Sequence, residues 1–334
     1  MSAALSTDAI VIEQPGRLSR RRVSIAAPGA GEVVVAVQSC GISTGTERLL
    51  WDGTMPVFPG LSYPLVPGYE AVGTVIDADD DATLAAGTRV FVPGAAGYQD
   101  GLTGLFGANA ATLVVPQARV SVVDGIDELA DERATLLALA ATAMHALSAD
   151  ARRLGQPATL ADLAALAPEL IVGHGVLGRL LARIVVAIGA PAPTVHETAE
   201  ARREGANGYA CIDPDQDERS GYRRIVDVSG AGGDHLDRLI ARLGRQGQLV
   251  LAGFYHEPIR FDFAPAFMRE INVAIAAEWA PDDLRSVLEL LGSGALALDG
   301  LISHRAAAAD ADAAYPEAFR DASRLKTVLD WNPR

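Results

Sequence analysis

The stretch from Leu170 to Ala187, LIVGHGVLGRLLARIVVA, most constrains what this chain can fold into. A short apolar run ends in the spacing G-x-G-x-x-G, and a leucine-rich amphipathic run follows. This order predicts a buried strand, a tight turn and a helix. The first glycine permits the turn, the second lets backbone approach a pyrophosphate, and the third lets the helix pack on the strand. We therefore expect a dinucleotide-binding loop formed by Gly173, His174, Gly175, Val176, Leu177 and Gly178.

A second short strand, predicted over residues 193–197, supports this interpretation because it ends in an acid, Glu197. Glu197 follows the glycines by about 20 residues, where a carboxylate that binds the ribose is expected. A carboxylate there accepts a hydrogen bond from the 2′-hydroxyl and repels a 2′-phosphate, so NAD is favoured over NADP. Arg202 and Arg203 follow closely and would weaken that preference. An ordinary strand, turn and helix with a surface glutamate is the alternative.

Composition narrows the class of protein. A length of 334 residues favours two domains. The net charge of −14 argues against nucleic acid or an anionic membrane as a main partner. The two cysteines, Cys40 and Cys211, form no C-x-x-C motif, which favours a reducing, cytoplasmic location. We find no signal peptide at the N-terminus, and no apolar run reaches the ~18 residues that a membrane span needs.

The order of predicted elements indicates an α/β fold in two parts. Short strands come first, at 9–12, 32–37, 70–76, 89–92 and 110–115, and they suggest a small β-barrel. A helix is predicted over 131–148. Strands at 209–212, 225–229, 248–253 and 271–276 then alternate with helices, which predicts a doubly wound parallel sheet. The tail has helices near 281–292 and 310–322 and strands at 300–303 and 325–329, and we expect it to return to the first part.

This order of elements resembles the medium-chain dehydrogenase/reductase superfamily. The stretches that carry the resemblance are Cys40-Gly41-Ile42-Ser43, residues 67–73, residues 140–143, the glycine loop and Val228-Ser229-Gly230. It implies a GroES-like catalytic domain over 1–146, a Rossmann domain over 147–280 and a return to the first domain over 281–334. It also implies that a homodimer is common among such proteins. The cofactor contacts that it implies are Thr142, Leu177, Ser229, Gly253, Phe254 and Lys326.

Four stretches, 41–51, 63–70, 249–255 and 325–331, resemble a narrower family, the 3-hydroxyethyl bacteriochlorophyllide a dehydrogenases of bacteriochlorophyll synthesis. This resemblance implies NAD-dependent oxidation of a 1-hydroxyethyl group on a tetrapyrrole to acetyl. Met144 departs from this resemblance, which implies a second histidine at that position beside His145, and the departure argues against a role for a pair of imidazoles. Two other functions stay open. One is a zinc-free quinone or enoyl reductase of the same superfamily, and the other is a non-catalytic NAD(H)-binding sensor or pigment chaperone.

The resemblance also indicates that zinc is absent. Zinc-dependent members have ligands at the positions of Ser43, Tyr69 and Ala138, whereas tetrahedral zinc needs thiolate, imidazole or carboxylate donors. The stretch 93–110 lacks the four cysteines of a structural zinc lobe. We therefore predict catalysis without metal, eased by a macrocycle that delocalises positive charge as hydride leaves. Only a proton acceptor and correct orientation are then required.

Five residues are candidates for that chemistry, each with a structural alternative. Tyr69 would hydrogen-bond the substrate oxygen, or be a satisfied barrel tyrosine. Ser43 and Thr46 would relay the proton, or cap a turn. Glu70 would act as base or support, or form a salt bridge; His145 would accept the proton, or be a buried helix histidine.

Aromatic side chains are concentrated between residues 51 and 69. Trp51, Phe58 and Tyr63 are the candidates for the substrate pocket, since flat apolar rings suit a flat apolar substrate. The alternative is a loop held to the barrel by its own aromatic side chains.

Overall fold

The computed structural model describes residues 4–57, 59–78, 83–153, 159–255, 257–321 and 323–332. These residues form two compact units. Unit 1 comprises residues 1–138 and 301–334, and unit 2 comprises residues 139–300.

The described residues at the start of unit 1 form seven strands and one α-helix. They are β1 (Leu5–Gln14), β2 (Arg17–Ile25), β3 (Glu32–Ile42), α1 (Thr46–Asp52), β4 (Ala71–Ala78), β5 (Arg89–Val92), β6 (Thr112–Pro116) and β7 (Ser121–Val122). β1 and β2 form an antiparallel pair, and β3 pairs with both β4 and β6. The five predicted strands correspond to β1, β3, β4, β5 and β6. The predicted and observed bounds of β5 coincide, and each of the other four predictions starts within four residues of the start of its strand.

β2 is a strand that the sequence did not predict. The arginines at positions 20–22 are exposed, whereas Val23 and Ile25 are buried. β2 pairs with β1 along its length and forms one further bridge, from Ile25 to Tyr98, and Arg20 forms an ion pair with Asp8 across the β1–β2 pair. A strand with one exposed edge tolerates such charges, and charges discourage pairing with another chain.

Unit 2 contains the parallel sheet. Its elements are α2 (Leu137–Arg153, which begins two residues before the unit), α3 (Leu160–Ala165), β8 (Leu170–Val172), α4 (Val176–Ala187), β9 (Thr194–His196), α5 (Glu200–Arg203), β10 (Ala210–Ile212), β11 (Tyr222–Asp227), α6 (His235–Arg242), β12 (Leu243–Leu251), α7 (Phe263–Arg269), β13 (Asn272–Ile275) and α8 (Pro281–Gly292). The strand order is β10-β9-β8-β11-β12-β13, and every pair is parallel. The order reverses beside β8, so the carboxyl ends of β8 and β11 flank the place where such sheets bind ligands.

The tail completes unit 1 with β14 (Ile302–Ala307), α9 (Ala311–Arg320) and β15 (Lys326–Asp330). β15 pairs antiparallel with β3, with Thr327 opposite Ile42. The α/β class, with a β-rich unit and a doubly wound parallel sheet, therefore agrees with the prediction.

The units divide at residues 138 and 300 rather than at the expected 146 and 280. The reason is that α2 and α8 belong with the parallel sheet. Arg224 of β11 donates to the carbonyl oxygen of Ala146, and Asp283 of α8 binds His145. The predicted helix over 131–148 is a 3₁₀ turn at Glu132–Leu136 followed by α2. No helix formed by the described residues is long and apolar enough to cross a membrane.

Candidate active site

The glycine loop has the backbone that its spacing predicts. Gly173 has φ +102°, and a Cβ there would lie 3.3 Å from the backbone of Ser229. A Cβ on Gly178 would lie 1.9 Å from the carbonyl oxygen of Gly173, so helix α4 packs directly on the turn. Gly175 is the N-cap of α4, and a Cβ there would meet nothing within 4 Å. A phosphate can therefore approach the first turn of α4, whose amides and dipole favour an anion.

Glu197 follows β9 and lies against this loop. Its Oε2 accepts a hydrogen bond from the backbone N–H of His174 at 3.0 Å, and its Oε1 accepts one from Ala199 at 2.9 Å. The side chain is largely buried. Two backbone amides thus hold a carboxylate in a fixed orientation beside the loop.

The ring of His174 is committed to protein partners. Nδ1 lies 2.6 Å from the carbonyl oxygen of Arg202 and must donate to it, so Nε2 accepts from the hydroxyl of Tyr209 at 2.8 Å. Burial lowers the pKa of His174 to about 4, and the ring is therefore neutral. His174 shapes the loop, and its ring brings no charge to a cofactor.

Arg179 of α4 was not singled out from the sequence. It is buried, and its guanidinium donates to the carbonyl oxygens of His174, Arg202 and Glu204. It therefore fixes the backbone at Arg202, whose side chain is half-buried. Arg203 forms an ion pair with Asp213 at 3.0 Å.

The loops after β11 and β12 meet at Asp227. This buried carboxylate accepts hydrogen bonds from the N–H of Ser229 at 2.9 Å, the hydroxyls of Ser229 and Tyr255, and Nε2 of His235 at 3.1 Å. Burial raises its pKa, but the bonds from His235, Ser229 and Tyr255 outweigh it and leave the pKa below its ordinary value. Asp227 thereby positions Ser229 against the glycine loop.

Gly253 and Phe254, the other predicted cofactor contacts at this edge of the sheet, follow β12. A Cβ on Gly253 would lie 2.6 Å from the backbone nitrogen of Gly230, so the two loops are in close contact. Phe254 is exposed.

In unit 1 the structure brings Ser43, Thr46 and Tyr69 together. The hydroxyl of Tyr69 donates to Oγ of Ser43 at 2.7 Å, and the N–H of Thr46 donates to the same oxygen at 3.3 Å. Burial and the nearby Glu70 raise the pKa of Tyr69 above its ordinary value, so its hydroxyl keeps its proton. The pair can therefore orient an oxygen by hydrogen bonding.

Glu70 is part of a buried ion pair. Nζ of Lys326 lies 2.5 Å from its Oε2, and the same ammonium donates to the carbonyl oxygen of Ile42 at 3.3 Å. Burial raises the pKa of Glu70, and Lys326 opposes the rise. A Cβ on Gly41 would lie 2.0 Å from Oε2, so the pair needs glycine there. Lys326 was expected beside the cofactor phosphates, but its ammonium forms this ion pair with Glu70.

Glu47 is a second buried acid of unit 1 that the sequence analysis missed. Its Oε2 accepts from the hydroxyl of Tyr315 at 2.7 Å, and its Oε1 accepts from the N–H of Ser43 at 3.4 Å. Burial raises its pKa to about 8, with a further contribution from Glu70. The only sequence signal was an acid in the first turn of a short helix, which is ordinarily exposed.

His145 lies on α2 of unit 2. Its Nδ1 lies 2.9 Å from Oδ2 of Asp283, which also accepts from the N–H of Ala280. The hydroxyl of Ser148 donates to Oδ1 of Asp283 at 2.5 Å. Thr142 precedes His145 by one helical turn.

The predicted pocket residues have partners in unit 1. The hydroxyl of Tyr63 donates to the carbonyl oxygen of Leu50, and Trp51 packs on Phe319 with ring centroids 6.4 Å apart. Phe58 lies outside the described residues. Contact of these side chains with a substrate stays a prediction.

The residues in the positions of zinc ligands do not suit zinc. Ser43 and Tyr69 are hydrogen-bonded to each other, and the side chain of Ala138 has no atom that could bind a metal. Among the residues that the structure describes, no three His, Cys, Asp or Glu side chains form a group that could hold a metal ion.

Known proteins resemble this chain over nearly its whole length. A model of the alcohol dehydrogenase GroES-like domain matches residues 29–124. The 2-desacetyl-2-hydroxyethyl bacteriochlorophyllide A dehydrogenase of Rhodobacter capsulatus is 48% identical over 98% of this chain and 99% of that protein. The protein of the same name from Cereibacter sphaeroides is 45% identical over 98% of this chain and 99% of that protein. A solved short chain alcohol dehydrogenase from E. coli CFT073, complexed with NADH, matches at 20% identity with a TM-score of 0.78, covering 98% of this chain and 99% of that chain.

Proposed function

The chain belongs to the family of 2-desacetyl-2-hydroxyethyl bacteriochlorophyllide A dehydrogenases, and from this membership we propose that it oxidises the 3-(1-hydroxyethyl) group of a bacteriochlorophyllide to 3-acetyl. The observation that carries the proposal is identity of 45–48% over nearly the whole length of both relatives. A tetrapyrrole is therefore the substrate, in bacteriochlorophyll a synthesis.

NAD is the cofactor that we propose. The glycine loop and the first turn of α4 suit a pyrophosphate, and the carboxylate of Glu197 beside them suits a free 2′-hydroxyl. The E. coli structure of the same fold contains NADH. The residues that would hold it are those of the glycine loop with Glu197, Arg202, Ser229, Gly253, Phe254 and Thr142. When bound, NAD supplies the acceptor for the hydride of the carbinol carbon.

The hydroxyls of Ser43 and Tyr69 in unit 1 would orient the substrate alcohol without zinc. Tyr69 already donates to Ser43, so its oxygen can accept a hydrogen bond from the substrate hydroxyl. The macrocycle stabilises the developing positive charge at the carbinol carbon, so the proton leaves with the hydride or after it. Glu70 is held by Lys326, which leaves His145 as the proton acceptor that we favour.

Tyr69→Phe tests this arrangement because it keeps the ring and removes only the hydroxyl. We expect kcat for 3-hydroxyethyl bacteriochlorophyllide a to fall at least about tenfold, since proton transfer by a positioned group contributes ~10²–10⁴-fold. NAD binding should not change. Tyr98→Phe is the matched control, because Tyr98 is also a half-buried tyrosine of unit 1, but its hydroxyl donates to the backbone carbonyl oxygen of Gly107. Wild-type turnover in both variants would refute the role of Tyr69.

The same assay separates the alternative functions. Growth of NADH absorbance with a shift in the pigment spectrum supports the dehydrogenase. Reduction of a quinone or enoyl substrate without pigment turnover would support the reductase, and NAD binding without any turnover would support a sensor.

We also propose a homodimer and a cytoplasmic location. Val273 and Ile275 are exposed on β13, the edge strand of the parallel sheet, and Phe263, Phe267 and Met268 are exposed nearby in sequence on α7. Exposed apolar side chains on a sheet edge favour pairing with a second copy. Light scattering of wild type and of Ile275→Glu, which we expect to be monomeric, tests the dimer.

The proposed cytoplasmic location rests on the two cysteines, both of which are free, as a reducing compartment would leave them.

A further inference from the structure

A chain of buried hydrogen bonds in unit 1 ends at Ser43. Nε1 of Trp331, the residue after β15, donates to Oδ1 of Asn109 at 3.2 Å, and Nδ2 of Asn109 donates to the hydroxyl oxygen of Tyr315 at 2.8 Å. The hydroxyl of Tyr315 donates to Oε2 of Glu47 at 2.7 Å, and Oε1 of Glu47 accepts from the N–H of Ser43 at 3.4 Å. All five residues are buried. The chain therefore connects α9 and the end of β15 to one of the two hydroxyls of the candidate active site.

The direction of each bond in this chain is fixed. The indole of Trp331 can only donate, so Oδ1 of Asn109 faces it and Nδ2 faces Tyr315. Because the hydroxyl of Tyr315 accepts from Asn109, its own proton points to Glu47. Both oxygens of Glu47 thus receive a hydrogen bond from the protein, which holds the carboxyl group from two sides.

Ser43 is held at its backbone and at its side chain. Its N–H donates to Glu47, while its Oγ accepts from the N–H of Thr46 at 3.3 Å and from the hydroxyl of Tyr69 at 2.7 Å. A serine hydroxyl has two acceptor lone pairs and one proton. With both lone pairs engaged, the group that Ser43 can offer to a substrate oxygen is its own O–H.

The charge of Glu47 depends on pH. The ionisable side chains that face it are Cys40 of β3, Tyr69, Glu70, Tyr315 of α9 and Lys326 of β15. Burial raises the pKa of Glu47 to about 8, the bond from Tyr315 opposes the rise, and Glu70 adds to it. Glu47 is therefore neutral at pH 7 and ionised above about pH 8, where its negative charge acts on the hydroxyl of Tyr69.

Resting on the proposed function, we propose that Glu47 is a positioning residue for the hydroxyls of Ser43 and Tyr69, and that its ionised carboxylate promotes oxidation of the alcohol bound there. Glu47 acts through the backbone of Ser43 and through its charge, and it takes no proton from the substrate. Positive charge develops at the carbinol carbon as hydride leaves, and a fixed negative charge nearby stabilises that transition state. Tyr315 holds the carboxylate in place and favours its ionised form.

The pH dependence of pigment oxidation tests the role of Glu47. We expect kcat/KM of the wild type for 3-hydroxyethyl bacteriochlorophyllide a to rise about tenfold with a midpoint near pH 8. Glu47→Gln should lose this rise, with the Kd for NAD within about twofold of wild type. Other groups titrate in both proteins, so the ratio of the two profiles isolates Glu47.

Tyr315→Phe separates a charge effect from a loss of packing. It removes a bond that favours the ionised carboxylate, so the midpoint should move to higher pH while the rise keeps its size. A purely structural role would lower the rate equally at every pH and leave the midpoint in place. Tyr98→Phe is the matched control, because the hydroxyl of Tyr98 donates to Gly107 and not to this chain, and its midpoint should equal that of wild type.

Infrared spectra follow the proton of Glu47 without any turnover. The carbonyl band of the protonated carboxyl group should disappear near pH 8 in wild type and persist to higher pH in Tyr315→Phe, and Glu47→Gln should lack that change. Profiles of the same shape in wild type and Glu47→Gln, or a midpoint and a band that do not move in Tyr315→Phe, would overturn the role of Glu47. A wild type that does not turn over the pigment would instead overturn the proposed function.

Discussion

Replacement of Glu47 by Gln should reverse the order of stability of variant and wild type as the pH rises. Glu47 is fully buried in unit 1, where its carboxylate accepts from Tyr315 and from the backbone of Ser43. Burial raises its pKa from 4.5 to about 8. Gln has nearly the same shape and keeps one of the two acceptor oxygens, but it has no proton to lose.

The sign follows from proton linkage. Below pH 4.5 both the folded and the unfolded chain hold the proton of Glu47, whereas between 4.5 and 8 only the folded chain does. The free energy of unfolding therefore falls as the pH rises through this window and levels off above about 8. A pKa difference of about 3.5 corresponds to a loss of about 5 kcal/mol at most. The variant lacks this loss and gives up about 1 kcal/mol for one hydrogen bond.

Urea unfolding at several pH values between 5 and 9.5 measures the effect. We expect Glu47→Gln to be slightly less stable than wild type near pH 5 and more stable by a few kcal/mol at pH 9.5. Glu317→Gln, at an exposed position, controls for removal of a carboxylate. Parallel curves for wild type and Glu47→Gln across the whole range would refute the buried proton.

Three further predictions concern zinc, the cofactor, and the ion pair of Glu70 with Lys326. Elemental analysis of active protein should find well below one zinc per chain, and chelators should leave turnover unchanged; stoichiometric zinc whose removal stops turnover would contradict this. Glu197→Ser should weaken NAD by roughly 1–3 kcal/mol and raise the use of NADP, and a wild type that already prefers NADP would refute the assignment. Lys326→Met should destabilise the protein by about 3–5 kcal/mol because it leaves Glu70 buried without a cation. Adding Glu70→Gln should recover most of this loss. If the two substitutions instead lower the free energy of unfolding additively, the two residues do not stabilise each other.

The parallel sheet could be predicted because its signals are local. The glycine spacing from Gly173 to Gly178, the apolar strand before it and the acid after β9 all lie within one short stretch of chain, and α8 matches its predicted bounds because Pro281 starts it. β2 was missed for the opposite reason. Its three consecutive arginines hide the alternation that marks a strand, and only its pairing with β1 explains them.

The candidate site could be predicted only in part. The hydroxyls of Ser43 and Tyr69 were expected near one reacting centre, and their hydrogen bond brings them together. The partners of Glu47, Glu70 and His145 are 268, 256 and 138 residues away in sequence. No local pattern encodes contacts over such separations, so Tyr315, Lys326 and Asp283 could be found only in the folded chain.

Glu47, Glu70 and Lys326 form a buried cluster of ionisable groups in unit 1, and its net charge bears on whether zinc can bind there. Glu70 and Lys326 compensate each other, and Glu47 keeps its proton below a pH of about 8, so the three groups together are neutral near pH 7. A neutral cluster has no excess negative charge with which to attract a dication. Above pH 8 Glu47 ionises, and the cluster gains one negative charge beside Ser43. Zinc should therefore be assayed at pH 9 as well as pH 7, and binding that appears only at pH 9 and is lost in Glu47→Gln would identify Glu47 as its cause.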